Sequence, residues 1–173
     1  KTFMLQRSLK ASSFEYFFIT DSVFNGDCTH SLAVAAAFKK SELSIPWGAF
    51  FAPLKQSEDY FRIMADAGLT HVEFGTDSLS NPVLASYRKP FRDQQVFRIH
   101  QAAIDAGLYV AHYFLLGGPG ENPQTLKETL AGVANLEKAA LFFFCGMRIY
   151  PNTELYDIAI EEGQTAERSE ERR

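Results

Sequence analysis

Short apolar runs alternate along the chain with segments whose apolar residues recur at helical spacing. Five runs rich in aromatic and β-branched residues have the length of buried strands, and they cover Phe14–Thr20, Ile45–Ala52, His71–Gly75, Tyr109–Leu116 and Leu141–Tyr150. The segments between them are predicted helices, namely Thr29–Lys40, a helix that Ser57–Asp59 opens, Asp93–Ala106, Pro123–Leu136 and Thr153–Glu162. The pattern predicts a chain of repeated β–α units.

Two of the predicted helices end with the same Ala-Gly-Leu signature, at Ala67–Leu69 and at Ala106–Leu108. A glycine is the usual residue just past a helix C-terminus, and in both places a strand follows directly. Strands that are apolar on both faces imply a parallel sheet covered by helices. The spacing of roughly 30 residues per repeat is that of a βαβ unit. The sheet is therefore either an open doubly wound one or part of a TIM-like barrel.

Composition narrows the classes of partner. The chain of 173 residues fits one globular domain, and its formal net charge of −4, with scattered basic residues, argues against nucleic acid or a membrane surface as the main partner. No apolar run approaches the ~20 residues that a membrane span needs. The two cysteines, Cys28 and Cys145, lie too far apart in sequence to indicate a disulfide framework. We expect a cytoplasmic protein that binds small molecules.

Polar residues and glycines collect where four of the five predicted strands end. The carboxyl ends of parallel strands form the ligand-binding edge of α/β folds, so these loops are the candidate site; they contain Thr20–Asn25, Gly75–Ser78, Gly117–Asn122 and Arg148–Thr153. Glycines let a ligand approach the backbone closely and leave amide groups free to bind it. A second interpretation is structural, because Asp21 and Asp77 could each cap the next helix and Gly117–Gly120 could be only a sharp turn.

Two further predictions concern charged groups. The four histidines have no metal-ligand spacing, so His71, His100 and His112 are interpreted as structural residues. Strand alternation places Glu73 on the same face as Gly75, and a buried carboxylate needs a partner. Arg148 on the fifth strand is the predicted cation.

Taken in order, these segments resemble the radical S-adenosylmethionine superfamily, in the branch whose members often carry an N-terminal cobalamin-binding domain. The resemblance covers roughly residues 14–163 and rests on five pieces in the family order, Phe17–Phe24, Ile45–Trp47, Ala67–Ser78, Phe114–Glu121 and Tyr150–Leu155. It implies a partial (β/α)6 barrel that lacks its first strand here. It also implies a core over residues 1–163 followed by a polar tail, 164–173.

The resemblance implies how S-adenosylmethionine would lie across the strand ends. Asp21 matches the family position near the amino end of the methionine moiety. Thr76, Asp77 and Ser78 match positions near the ribose or the carboxylate, although Asp77 replaces the more usual glutamate. The positions near the adenine are Gly117, Gly118, Gly120, Glu121 and the backbone around Tyr150.

The chain departs from the family at the iron–sulfur cluster. The family holds a four-iron four-sulfur cluster with a CxxxCxxC loop, because thiolates are the ligands that the cluster needs. No such triplet occurs here. The resemblance therefore implies a piece of a larger oxidoreductase or methyltransferase. The other part of that protein would carry the cluster and, in this branch, cobalamin. The chain alone is predicted not to cleave S-adenosylmethionine reductively.

Two alternatives belong to other classes of protein. The first is a degenerate, non-catalytic binding or scaffold domain, whose open sheet edge near Phe14 a partner or a second copy would cover. The second is an unrelated TIM-barrel-like enzyme that binds a phosphate at Gly117–Gly120.

Overall fold

The computed structural model describes residues 14–41 and 45–164. Its strands are β1 (Phe17–Ile19), β2 (Trp47–Phe51), β3 (Leu69–Asp77), β4 (Tyr109–Leu116) and β5 (Ala139–Cys145). Its helices are α1 (Cys28–Lys40), α2 (Tyr60–Asp66), α3 (Asn81–Ser86), α4 (Asp93–Asp105), α5 (Pro123–Val133) and α6 (Glu154–Glu161). The predicted alternation of strand and helix is confirmed.

The five strands form one parallel sheet in the order β1-β2-β3-β4-β5. The strands follow one another in chain order with no reversal, which is the order of a barrel and not of a doubly wound sheet. Within the described residues the sheet does not close on itself, so the fold is a partial TIM-like barrel with outer helices. Helices α1, α2 and α4 pack on one face of the sheet. Because parallel strands share one direction, all five carboxyl ends lie along the same edge.

The main core lies between the sheet and its outer helices. Trp47 is fully buried, and its Nε1 donates a hydrogen bond to the Ala67 carbonyl at 2.9 Å. Phe38 from α1 packs against its ring, and Phe61 from α2 packs against Phe51 of the sheet. Burying rings of this size supplies most of the hydrophobic stabilisation of a small domain.

The repeated Ala-Gly-Leu connection works as predicted. Gly68 and Gly107 have φ angles of +92° and +77°, which an L-residue with a Cβ rarely adopts. Each glycine therefore ends a helix and lets the chain reverse directly into β3 or β4.

Most element boundaries differ by a few residues from the prediction, and three differences have a clear local cause. The helix that Ser57 was expected to open begins at Tyr60, because residues 57–60 form a turn closed by the Tyr60 amide and the Ser57 carbonyl. Strand β5 ends at Cys145, since Gly146 has a φ angle of +87°. The six-residue helix α3 was not predicted, because it is too short to display a helical period.

Candidate functional site

The site at the strand ends is built around Asp77, the last residue of β3. Its φ angle is +60°, a strained left-handed conformation for a residue other than glycine. Its mostly buried carboxylate pairs with the Lys89 ammonium, which follows α3. An ion pair with so little access to water is only weakly screened. The backbone strain and the ion pair together fix one carboxylate and one ammonium at this edge.

The glycine loop after β4 forms the second part of the site. Gly117 and Gly120 have φ angles of +83° and +82°, and the Glu121 carboxylate accepts a hydrogen bond from the Gly117 amide at 3.2 Å. A Cβ at Gly118 would lie only 2.3 Å from the Tyr87 hydroxyl and 2.8 Å from the Met147 sulfur. A side chain at 118 would therefore push the Tyr87 hydroxyl and the Met147 thioether away from their present positions.

Two adjoining cavities open along this edge, with volumes of about 470 and 480 Å³. The first cavity is lined by the glycine loop from Gly117 to Asn122 and by residues of α6. The second is lined by Asp77, Tyr87 and Lys89. The two cavities share the residues Pro119, Met147, Leu155 and Ile158. They offer an elongated ligand a path from the glycine loop to the Asp77–Lys89 pair.

The sequence reasoning missed three residues of this site, Tyr87, Lys89 and Met147. Burial raises the pKa of Tyr87, and the nearby carboxylates of Glu121 and Asp77 raise it further. The hydroxyl therefore stays protonated near neutral pH and can donate a hydrogen bond. One sequence signal could have indicated Lys89. It is a basic residue that follows the Gly75–Ser78 loop by about ten positions.

The remaining predicted site residues lie outside the two cavities. Asp21 and Tyr150 are exposed in the loops after β1 and β5, and neither lines a cavity. Thr76 is buried and hydrogen-bonded to His112 at 2.7 Å. Ser78 is also buried, and its hydroxyl pairs with that of Thr129 at 2.8 Å. The structure thus brings together Asp77 and the residues Gly117, Gly118, Gly120 and Glu121.

Two histidines behind this edge form a buried chain with Thr76. His112 Nε2 lies 3.1 Å from His100 Nδ1, while its Nδ1 faces the Thr76 hydroxyl. Burial lowers the pKa of His112 to about 3, and the neighbouring His100 adds to the effect. Burial lowers the pKa of His100 as well. Both rings are neutral near pH 7, which fits their interpretation as structural histidines.

The predicted partner of Glu73 was wrong. The Tyr113 hydroxyl on the adjacent strand β4 donates a hydrogen bond to the Glu73 carboxylate at 2.7 Å. Arg148 instead faces the Tyr150 hydroxyl at 3.4 Å, beyond the end of β5. Burial and Glu73 together raise the pKa of Tyr113 to about 12. The carboxylate is therefore held by a neutral donor rather than by a cation.

The residues present do not fit an iron–sulfur cluster. The sequence has two cysteines, and both Cys28 and Cys145 are free. Within residues 14–41 and 45–164, no group of histidine, cysteine and acidic side chains could hold a metal ion. A four-iron cluster requires at least three thiolates, so this chain cannot hold one with its own residues.

Comparison with known proteins identifies the family. A family model described as the radical SAM superfamily matches residues 44–131, which is just over half of the chain. The chain belongs to the radical SAM superfamily.

One curated relative and two solved structures extend the comparison. An uncharacterized methyltransferase of Pyrococcus horikoshii is 25% identical over 140 residues, covering 81% of this chain and 30% of the relative. The structure of the radical S-adenosylmethionine methyltransferase TsrM from Kitasatospora setae has a TM-score of 0.83 at 20% identity, covering 91% of this chain and 30% of TsrM. The cobalamin-dependent radical enzyme OxsB has a TM-score of 0.65 at 16% identity, covering 95% and 26%.

These structural similarities confirm the fold that the sequence predicted. The chain spans between about a quarter and a third of the length of each of these proteins. In the ranges that the structure describes, no helix is both long and apolar enough to cross a membrane.

Proposed function

We propose that this chain is the S-adenosylmethionine-binding part of a radical S-adenosylmethionine methyltransferase. The observation that carries the proposal is the pair of adjoining cavities at the strand ends, one against the glycine loop and one against Asp77 and Lys89. Family membership supports it, and so do the methyltransferases among the relatives. When bound, S-adenosylmethionine would supply a methyl group to a nucleophile, leaving S-adenosylhomocysteine, or, on accepting one electron, an adenosyl radical, leaving methionine.

The chemistry of the two cavities suits the parts of this cofactor. The glycine loop offers backbone groups and a narrow apolar wall of Met147, Leu155 and Ile158 for a purine ring. The Asp77 carboxylate can accept hydrogen bonds from a ribose diol, and the Lys89 ammonium can pair with the methionine carboxylate. The Tyr87 hydroxyl supplies a further donor between them.

The other predicted contacts remain part of the proposal in a more specific form. Asp21 and Tyr150 lie in the exposed loops that follow β1 and β5, and in this proposal they contact the parts of the cofactor that extend beyond the two cavities. The Thr76 and Ser78 side chains are engaged inside the fold, so we assign them to positioning Asp77.

The parent protein would bring the remaining cofactors. We infer that its cluster cysteines lie outside this sequence, since the chain has no CxxxCxxC loop. Relatives described with cobalamin and a [4Fe-4S] cluster support both cofactors for the parent. The proposal also keeps the core of residues 1–163 and the polar tail. It further includes a second copy of the chain that covers the open sheet edge.

A phosphate at the glycine loop is the less favoured function. The N-terminus of α5 is already capped, because the Asn122 side chain accepts hydrogen bonds from the Gln124 and Thr125 amides. An anion would have to displace this cap. Membership of the radical SAM superfamily also contradicts an unrelated barrel enzyme.

Calorimetric titration of the full chain with S-adenosylmethionine tests the proposal. We expect Asp77→Asn to weaken binding by about tenfold, since a hydrogen bond to a charged group is worth about 1.5–3 kcal/mol. Asparagine tolerates the left-handed backbone, so the fold should persist. Asp66→Asn is the matched control, because Asp66 pairs with Lys39 on the exposed surface at 3.7 Å.

Three results would decide against the proposal. Equal affinity of the Asp77→Asn and Asp66→Asn variants would remove Asp77 from the site. A folded chain that binds no S-adenosylmethionine would favour the scaffold domain, and a chain that binds inorganic phosphate instead would favour the phosphate site.

A further inference from the structure

Aromatic rings line the face of the sheet opposite helices α1, α2 and α4. We call this surface the aromatic face, and its rings belong to Tyr16, Phe18, Phe50, Tyr113, Phe142 and Phe144. The rings contact one another across four strands, with centroids 4.8 Å apart for Phe18 and Phe50 and 5.1 Å apart for Tyr113 and Phe142. Phe142 and Phe144 are 45% and 50% exposed, so a large part of this surface is open.

Small residues leave a hollow in this face, beside the rings and above Gly75. The strand register pairs Gly75 with Tyr113, and Ala111 with both Glu73 and Ala140. A Cβ built at Gly75 would meet no atom within 4 Å, so there is free space directly above it. Beside this free space the rings of Phe50 and Tyr113 meet edge to face, with centroids 6.5 Å apart.

Glu73 is the one formally charged residue that the described strands place on this face. It is half-buried, and the Tyr113 hydroxyl is the hydrogen-bond donor that reaches it, at 2.7 Å. Among residues 14–41 and 45–164 no lysine, arginine or histidine lies within ion-pair distance of it. A carboxylate has about four acceptor positions, so Glu73 has acceptor capacity left for a ligand.

We propose that the hollow binds the substrate, and that the substrate is a small organic ammonium ion. Its charge would pair with Glu73, and its carbon skeleton would lie against the rings of Phe50, Tyr113 and Phe142. Aromatic faces attract cations because of their quadrupole. A partly desolvated carboxylate attracts a cation more strongly than an aromatic ring does. Both parts of the surface therefore select the same class of molecule and reject anions.

The position of the hollow rests on the proposed function. Glu73 and Asp77 lie four residues apart on β3, which at about 3.3 Å per residue separates their Cα atoms by ~13 Å. A substrate in the hollow would thus lie close to a cofactor bound at the strand ends, at a distance comparable to the length of a small molecule.

Three probes of similar size and different charge test the inference on the full 173-residue chain. Phenethylammonium is the cation, 2-phenylethanol the neutral analogue and 3-phenylpropanoate the anion, each titrated with ligand-observed NMR. We expect the cation to bind at least about tenfold more tightly than the other two. Glu73→Gln should abolish this preference, while Glu58→Gln, a change at an exposed carboxylate elsewhere, should preserve it.

Strand β5 offers a matched pair of variants for the aromatic part. Phe144 lies on the aromatic face, whereas Phe143, 40% exposed, stacks on Phe114 on the opposite face. We expect Phe144→Ala to weaken binding of the cation severalfold and Phe143→Ala to leave it unchanged. Gly75→Val should fill the hollow and block binding without loss of the fold, because the position does not require a positive φ angle.

Several outcomes would overturn the inference. These are equal affinities for the three probes, no binding of phenethylammonium by the folded chain, or a Gly75→Val variant that binds as tightly as the parent. A dimer that Phe144→Ala dissociates and Phe143→Ala does not would show that a second copy covers the aromatic face instead. Circular dichroism of each variant verifies that it is folded.

The failure of this inference is distinguishable from failure of the proposed function. S-adenosylmethionine binding is titrated separately and depends on Asp77, which lies outside the hollow. A chain that binds the cofactor but shows no preference for the ammonium probe refutes only the substrate class. A chain that selects the ammonium probe but binds no S-adenosylmethionine refutes only the cofactor site.

Discussion

Asp77 combines two features that make a single residue informative. A left-handed backbone costs on the order of 1 kcal/mol at a non-glycine position, and its carboxylate is nevertheless held in place by Lys89. Strain of this kind persists only where the surrounding structure enforces it. The conformation directs the side chain into the cavity that Tyr87 and Lys89 line.

His112 gives a prediction for stability at the residue scale. Its pKa is about 3 in the folded chain and near 6.5 in the unfolded chain. Between these pH values the unfolded chain binds a proton at His112 that the folded chain does not bind. The contribution of His112 to folding stability is therefore fully present above pH 6.5 and is lost as the pH falls toward 3. Between pH 7.5 and 5.0 it should lower the free energy of unfolding by about 2 kcal/mol.

Urea denaturation of the wild type and of His112→Gln at both pH values measures this effect. The variant should be less stable at pH 7.5, because Thr76 and His100 lose their partner, and the difference should shrink by about 2 kcal/mol at pH 5.0. His30→Gln, in an exposed position of α1, is the control and should keep the wild-type pH dependence. A stability difference that is the same at both pH values would contradict a neutral, buried His112.

The single residues show where sequence reasoning succeeds. The turn glycines 68 and 107 were predictable, because only the local backbone decides them. The partner of Glu73 was not, because the choice between Tyr113 and Arg148 depends on which strand lies next to β3 and on where β5 ends. Lys89 was missed for a similar reason, since the unpredicted helix α3 carries it back to Asp77.

At the scale of elements, helix α5 connects stability to the site. Its first turn is closed by a reciprocal cap, in which the Asn122 side chain accepts from the Thr125 amide and the Thr125 hydroxyl accepts from the Asn122 amide. Asn122 also ends the glycine loop and lines the first cavity. Asn122 therefore holds both the first turn of α5 and the end of the glycine loop in place.

Asn122→Ala should lower the free energy of unfolding by about 1 kcal/mol, the usual cost of losing such a cap. Asn135→Ala is a matched change, because Asn135 is exposed and its amide makes only a long 3.4 Å bond to the Gly132 carbonyl. Urea denaturation at neutral pH compares the two. Equal losses in both variants would mean that the reciprocal cap has no special weight.

The order and type of the five strands were predicted correctly, whereas their bounds were accurate only in places. Strand β4 was predicted to the residue, because strong apolar residues and flanking glycines define both ends. Strand β5 was predicted too long, because the apolar run continues past Gly146 and only the backbone at that glycine ends the pairing. The arrangement of cavities at the strand ends could not be predicted, since it depends on how α3 and α6 pack.

At the scale of the whole molecule, the proposed function separates cofactor binding from cofactor reduction. The described strand ends form the cavities, whereas the sequence contains only two cysteines. Incubated with S-adenosylmethionine and dithionite, the chain alone should release no 5′-deoxyadenosine. The same core joined to a segment that supplies a CxxxCxxC loop should release it after anaerobic reconstitution.

Liquid chromatography of the products measures the release of 5′-deoxyadenosine. The iron–sulfur absorbance shows whether the joined protein has acquired its cluster. Release of 5′-deoxyadenosine by the chain alone would contradict the need for three thiolates. A joined protein that acquires its cluster but releases none would argue for a degenerate core.

The order of the strands has a consequence for how the molecule assembles. Each strand pairs with the strand before it and the strand after it in the chain, so every β–α unit is added next to the one already made. Such nearest-neighbour architecture resembles that of repeat proteins, in which structure can propagate from one unit to the next. A nascent chain could thus assemble its sheet in the order of synthesis, without waiting for a distant segment to complete an inner pairing.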